Sequence, residues 1–316
     1  MEFSRRKSQV SVSICAMDAR NTTQPAHAFS RETIGLALGT LGVVIFGGTL
    51  PATRVALATF SPWFVTHGRA AMASLAAALL LLVLRKRFPR SDAPALFLAG
   101  LLLVFGFPIF SSIAMQTVPA SHGGVVLGVL PLTTSIFAAI IGGERPSAFF
   151  WICGVAGAAL VVTFAISDSG MQLSSGDLFL FLAALSASLG YVVSGKLSRH
   201  MPGWEVICWS LILTAPISIP GALLSWHPEF ASASSAQTFA FFYLCFGSMF
   251  LGFFAWNVGL GMGGIARVSQ VQLLQSFVTL AISAFLLGEH VGARTLIFAL
   301  AVIAIVALGR RARVTR

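Results

Sequence analysis

Ten apolar runs follow one another along this chain, each about the twenty residues a helix needs to cross a hydrocarbon core. They cover 33–54, 62–84, 94–116, 119–142, 147–166, 176–197, 203–224, 237–258, 264–287 and 292–309. The short loops between them leave no room for an inserted soluble domain. The runs are continuously apolar rather than alternating, which selects helices over a membrane β-barrel. Of 316 residues, 57% are hydrophobic and only 9% charged. A soluble domain carries about 25% charged residues. An ordinary soluble enzyme, a disordered chain and a disulfide scaffold are therefore excluded. The expected fold class is all-α membrane, with ten transmembrane helices in a lipid bilayer.

The net charge of +10 would suggest a nucleic-acid partner in a soluble protein. Its distribution says otherwise. With the N-terminus placed in the cytoplasm, seventeen of the twenty Lys and Arg residues fall on the cytoplasmic side. Arg54 and Arg294 fall at outer ends, and Arg69 falls within a span. Asp168, Asp177, Glu229 and Glu289 face outside. This is the positive-inside pattern of a multi-pass inner (plasma) membrane protein with both termini cytoplasmic and no nucleic-acid partner. Residues 1–32 are polar and lack the 7–15-residue apolar run of a cleaved signal peptide, so they read as a cytoplasmic tail. Cys15, Cys153, Cys208 and Cys245 are scattered and form no metal or redox motif. No cofactor or metal is implied.

Two five-span halves, 33–170 and 171–316, must run in opposite senses because five is odd. A shift of 145 residues aligns Val126 with Val271, Thr134 with Thr279, Ala139 with Ala284, Gly143 with Gly288 and Glu144 with Glu289. The expectation is two inverted five-helix repeats, an architecture that places a substrate site near the midplane between the halves.

Several short motifs recur in order. Leu130-Pro131-Leu132 precedes Gly143-Glu144, with Gly154 and Gly157 in the next span and Gly288-Glu289 closing the matching helix of the second half. Arg69 follows Ser61-Pro62, and a basic turn follows span 2. In these features residues 33–309 resemble the ten-helix branch of the drug/metabolite transporter superfamily, built from EamA-type repeats. Ala255-Trp256-Asn257-Val258-Gly259 is similar to the branch that exports aromatic and other amino acids. The resemblance implies export of small metabolites, often amino acids. It departs at Ser276, which stands where the first half has Pro131, and in span 7, which has no counterpart of Arg69. Other cargo of the superfamily, such as drugs, is the alternative.

Polar residues inside a span are costly and mark candidate sites. Gln272, Gln275, Ser276, Thr279 and Ser283 share one face of span 9, opposite Leu273, Phe277 and Leu280. They are expected to line a pathway or to hydrogen-bond neighbouring helices, with spans 1, 3, 4, 6, 8 and 9 around the site. Asn257, Trp256 and Tyr191 are further pathway candidates. Arg69 has two readings: holding a substrate carboxylate, or satisfying helix C-terminal carbonyls while snorkelling outward. Because the resembling family often carries an arginine here, the second is favoured. His122 and His67 read as hydrogen-bonded structural residues, and Glu144 and Glu289 as helix-end groups that pair with a cation or cap the following helix. Pro51, Pro108, Pro131 and Pro216 should kink their helices, as gating bends or as static curvature. Gly35/Gly39, Gly124/Gly128 and Gly259/Gly263 have a spacing that permits close helix packing and is common in membrane helices. No mid-span Asp or Glu is present for proton exchange. An intramembrane enzyme using His67 or His122 would need a nucleophile motif, and none is found; nor is there a phosphate-binding loop for ATP.

Overall fold

The computed structural model describes residues 31–141, 145–168, 174–309 and 314–315. The tail and Cys15 lie outside them, as does Glu144. Ten long helices are present among the described residues: α1 Arg31–Ala56, α2 Pro62–Val83, α3 Arg90–Ala114, α4 Ala120–Ile140, α5 Ala148–Asp168, α6 Ser175–Leu197, α7 Gly203–Leu224, α8 Ser235–Gly263, α9 Ile265–Leu287 and α10 Ala293–Gly309. Eight of them, all but α5 and α10, are long and apolar enough along their described residues to be candidate membrane spans. A short antiparallel pairing joins β1 (Arg145–Pro146) to β2 (Val314–Thr315). The outer surface is apolar, with Phe285 92% and Leu224 86% exposed. Such a surface suits hydrocarbon, where it costs nothing, and not water.

The packing is paired. α1 lies against α8 as α6 lies against α3, and α1 meets α9 as α6 meets α4. α2 packs on α7, α4 on α9 and α5 on α10. Exchanging the first five helices with the last five maps this pattern onto itself. The irregularities pair too. α3 carries a π-helical stretch at Leu101–Gly106 and α8 one at Tyr243–Leu251. α4 tightens to 3-10 geometry at Leu127–Val129 and α9 at Gln270–Gln272.

Proline accounts for part of this. α1 breaks at Gly48, just ahead of Pro51, and the irregular turns of α3 and α4 end just before Pro108 and Pro131. A proline cannot donate to the carbonyl four residues back, so Pro51 leaves Gly47 O without its helical donor. Thr279 of α9 donates to that oxygen at 2.8 Å. Pro216 does not interrupt its helix: α7 is helical throughout Gly203–Leu224, with Pro216 and Pro220 inside it. The π stretch of α8 contains no proline and was not foreseen.

The α1–α8 contact is backbone on backbone. A methyl group at Gly35 would lie 2.6 Å from Gly263 N, and one at Gly259 would lie 2.8 Å from Gly35 O. The two glycine pairs thus meet each other, a close packing that their spacing permits. Polar ties close the ends. Lys86 bridges α2 to Glu205 of α7 at 2.6 Å, and Arg267 pairs with Glu32. Arg54 Nη1 donates to Met115 O and Val118 O at the end of α3.

Gly259→Leu should destabilise the protein by at least the roughly 1–3 kcal/mol typical of overpacking, because backbone cannot move aside as a side chain can. Gly292→Ala, in open space, should be near neutral. Thermal unfolding of the two variants in detergent checks the contrast.

Candidate functional site

Arg69 is the most unusual residue of the bundle. It is 2% exposed, and its Nη2 donates to Ser248 Oγ at 3.1 Å. Ser248 Oγ in turn hydrogen-bonds Thr49 Oγ1 at 2.8 Å. Arg69 Nε and Nη1 find no partner among the described residues. The favoured snorkelling role does not hold: the side chain stays inside and its bond is to a hydroxyl. Arg54 is the arginine that satisfies helix-end carbonyls.

Arg69 borders a small internal cavity together with Thr49, Tyr191, Ser248 and Gln275. Phe46, Phe107 and Phe253 supply aromatic walls, and Leu103 completes it. These residues come from α1, α2, α3, α6, α8 and α9, so α2 takes the place expected for α4. Helix irregularity surrounds the cavity. Thr49 follows the break in α1, Leu103 lies in the π stretch of α3, and Ser248 lies in that of α8. Such stretches re-aim side chains and free backbone groups, and are common at functional sites. The space has room for about one water molecule. Any larger solute requires the surrounding helices to separate.

With this geometry in place, comparison with known proteins is decisive about kinship. The sequence profile of the EamA-like transporter family matches twice, over residues 33–165 and 174–309. The chain belongs to the EamA-like transporter family. It is 38% identical over 283 residues to the uncharacterized transporter YdeK of Bacillus subtilis, covering 89% of this chain and 99% of that one. A probable terminal-alkyne amino-acid exporter of Streptantibioticus cattleyicolor is 24% identical over 254 residues, covering 79% of this chain and 84% of that one. One crystal structure superposes with a TM-score of 0.64 at 19% identity, covering 87% of this chain and 95% of that one, a likeness of fold alone. The protein is thus a membrane transporter whose family unit occurs twice in the chain.

The polar stripe of α9 divides in this EamA-like fold. Gln275 borders the cavity with its Oε1 unpartnered, and Gln272 is buried with both amide atoms unpartnered. Ser276 instead donates to Gly124 O at 2.7 Å, and Thr279 to Gly47 O. Both tie helices together rather than bordering the cavity. Thr134, aligned with Thr279 by the repeat, likewise reaches the other half, at Ser188 Oγ 3.1 Å away. The lipid face of α9 is Leu274, Ala281 and Phe285, while Leu273 and Leu280 are buried.

Tyr191 borders the cavity, and Trp256 stands behind it, edge-on at 5.2 Å and fully buried, so it is no interfacial anchor. Asn257 Nδ2 donates to Gly203 O at 3.2 Å, joining α8 to α7. His122 lies outside the cavity. Its Nε2 is 2.6 Å from Asp177 Oδ1, and Asp177 is fully buried rather than facing solvent. Asp177 also completes a capping box with Ser174 at the start of α6. Glu289 accepts from the Ala120 and Ser121 N–H groups at 2.9 and 2.8 Å. It therefore caps α4, in the other half of the chain, rather than the helix that follows it. Thr49, Ser248 and the three phenylalanines were missed from sequence. A hydroxyl inside the apolar run 243–251 was the available signal for Ser248.

Ser174→Ala removes an N-cap worth about 0.5–2 kcal/mol; Asp177→Ala removes the other half of the capping box and the tie to His122, so unfolding should shift to lower temperature by more than in Ser174→Ala. Melting of the purified variants tests this.

Proposed function

We propose that this protein is an inner-membrane secondary transporter that exports amino acids or related small metabolites by alternating access. The observation that carries this reading is the pairing of free groups at one cavity. Arg69 Nε and Nη1 are unpartnered donors, and Gln275 Oε1 is an unpartnered acceptor. A carboxylate suits the first and an ammonium group the second. A buried guanidinium without a counter-charge is costly, and a bound carboxylate lowers that cost through charge-assisted, bidentate bonds. The aromatic walls suit an apolar body. The name of the Streptantibioticus relative, an amino-acid exporter, points the same way.

In this reading all ten helices cross the membrane as two inverted repeats. The paired contacts and paired irregularities support that arrangement. The end carrying Arg85, Lys86, Arg87, Lys196 and Arg199 is cytoplasmic, by the positive-inside rule, and both termini lie on that side. The tight cavity corresponds to an occluded conformation, and rocking of the halves about their broken helices opens it to one side and then the other.

Counterflow of a panel of labelled amino acids through purified protein in liposomes tests the substrate class. Arg69→Ala should reduce flux at least about a hundredfold, the scale of losing one charge-assisted pair of roughly 3 kcal/mol, while Gln275→Ala should reduce it with membrane insertion unchanged. Flux of no amino acid, or flux untouched by both variants, would overturn the assignment. Reporter fusions at either terminus should be active only as cytoplasmic reporters.

A further inference from the structure

Two crevices among the described residues are mates under exchange of the halves. One, of about 390 Å³, lies between α1, α8 and α9 and includes Ala52, Val55, Phe239 and Tyr243. The other, of about 420 Å³, lies between α6, α3 and α4 and includes Leu98, Ile141, Val193 and Lys196. α8 runs antiparallel to α1, with Gly35 at Gly263 and Gly42 at Trp256, and parallel to α6, with Tyr191 at Trp256 and Gly195 at Leu260. α1 and α6 therefore run in opposite senses, and the crevices lie on opposite sides of the cavity. Along α1 the cavity residues Phe46 and Thr49 precede the crevice residues Ala52 and Val55. Along α6 the cavity residue Tyr191 precedes Val193 and Lys196. Each crevice also takes its residues from the ends of helices that reach the cavity further along.

At each end one side chain of a π stretch packs on a glycine whose chain neighbour lines the cavity. Tyr243 borders the first crevice. A methyl group at Gly48 would lie 2.5 Å from its hydroxyl oxygen, and Gly48 is the neighbour of the cavity residue Thr49. The Tyr243 hydroxyl donates to Ile45 O at the break in α1. Leu103 borders the cavity on the second side, and a methyl group at Gly190 would lie 2.5 Å from its Cγ. Gly190 is the neighbour of Tyr191. Both side chains belong to the π stretches, Leu103 to that of α3 and Tyr243 to that of α8. A π turn has looser backbone bonding than an α turn, so these are the places where a helix re-registers most easily.

We propose that the two crevices are the access routes to the central cavity from opposite membrane faces, and that Tyr243 on Gly48 and Leu103 on Gly190 are the two gates that close them. The proposal takes over from the functional reading only that the cavity lies on a transport path. It does not depend on what the solute is. The crevices are occupied in transit by the transported solute and its water. Gate opening on the Tyr243 side requires loss of the bond to Ile45 O and withdrawal of the ring from Gly48. On the other side it requires only that Leu103 leave Gly190, an apolar contact with no hydrogen bond to break.

The test is thiol accessibility in membrane vesicles of either orientation, with Cys15, Cys153, Cys208 and Cys245 each changed to Ala. A charged, impermeant thiol reagent reacts only where water lets a thiolate form. Val55→Cys, in the first crevice, should label rapidly from one face only, and Leu98→Cys, in the second, from the opposite face only. Thr49→Cys, in the cavity, should label slowly. Adding Tyr243→Ala should speed Thr49→Cys by about tenfold, the effect of a tenfold shift in a closed–open equilibrium, from the Val55 face and not the Leu98 face. Leu103→Ala should do the converse. Tyr243→Phe, which keeps the ring and loses the bond to Ile45 O, should give a smaller increase, and it decides the matter if the alanine variant does not accumulate. An unchanged Val55→Cys rate shows that the crevice survives these changes. Thr49→Cys labelling that ignores the gate variants would overturn the proposal, as would Val55→Cys labelling as slow as Thr49→Cys, which is the outcome for a lipid-filled crevice. Neither result touches the substrate reading, which fails instead if counterflow fails.

Discussion

Everything at the centre of this bundle is arranged around a guanidinium that the protein itself only partly satisfies. Arg69 is buried in the bundle, and one of its three nitrogens reaches a hydroxyl. Hydrocarbon outside the bundle gives no alternative partner, so the charge stays where the packing holds it. Four of the six helices around the cavity depart from regular α geometry. α1 breaks, α3 and α8 widen into π turns, and α9 tightens, all within reach of the same small space. A ring of regular helices would present apolar side chains there. Broken helices bring Thr49, Ser248 and Gln275 to the charge.

The same breaks are covered by polar side chains from the opposite half. Thr279 takes the carbonyl that Pro51 orphans, Ser276 takes Gly124 O, and Glu289 takes two N–H groups at the start of α4. Each of these bonds crosses between halves. They are worth about 0.6 kcal/mol apiece in membrane bundles, enough to set a register and weak enough to exchange. A transporter needs both properties, because the halves must find one arrangement and then leave it.

The expected site residues illustrate what periodicity can and cannot do. The polar stripe on α9 was legible because 3.6-residue spacing puts Gln272, Gln275, Ser276, Thr279 and Ser283 on one inward face. Which of them meets the cavity was not legible, since that depends on how far each is from the irregular turns of α1 and α4. The division between Gln275 and the pair Ser276 and Thr279 is therefore a tertiary result. Arg69 was legible as a charge within a span, yet the cavity it borders is lined from five other helices. Asp177 was legible only as an acid at the outer end of α6; that it is buried against His122 of α4 is a tertiary result.

The sequence by itself determined the helices, to within five residues at every end, because hydrocarbon admits no backbone that does not satisfy its own hydrogen bonds. It also determined the duplication, since two similar halves leave similar motifs, and the glycine faces of α1 and α8, since only a missing side chain allows backbone contact. Tertiary structure decided which polar groups remain unpaired, where π turns form without proline, and which side chains of the π stretches pack on glycines beside the cavity. Those outcomes depend on contacts between residues far apart in the chain, such as Arg69 with Ser248 or Tyr243 with Gly48. No local pattern encodes them.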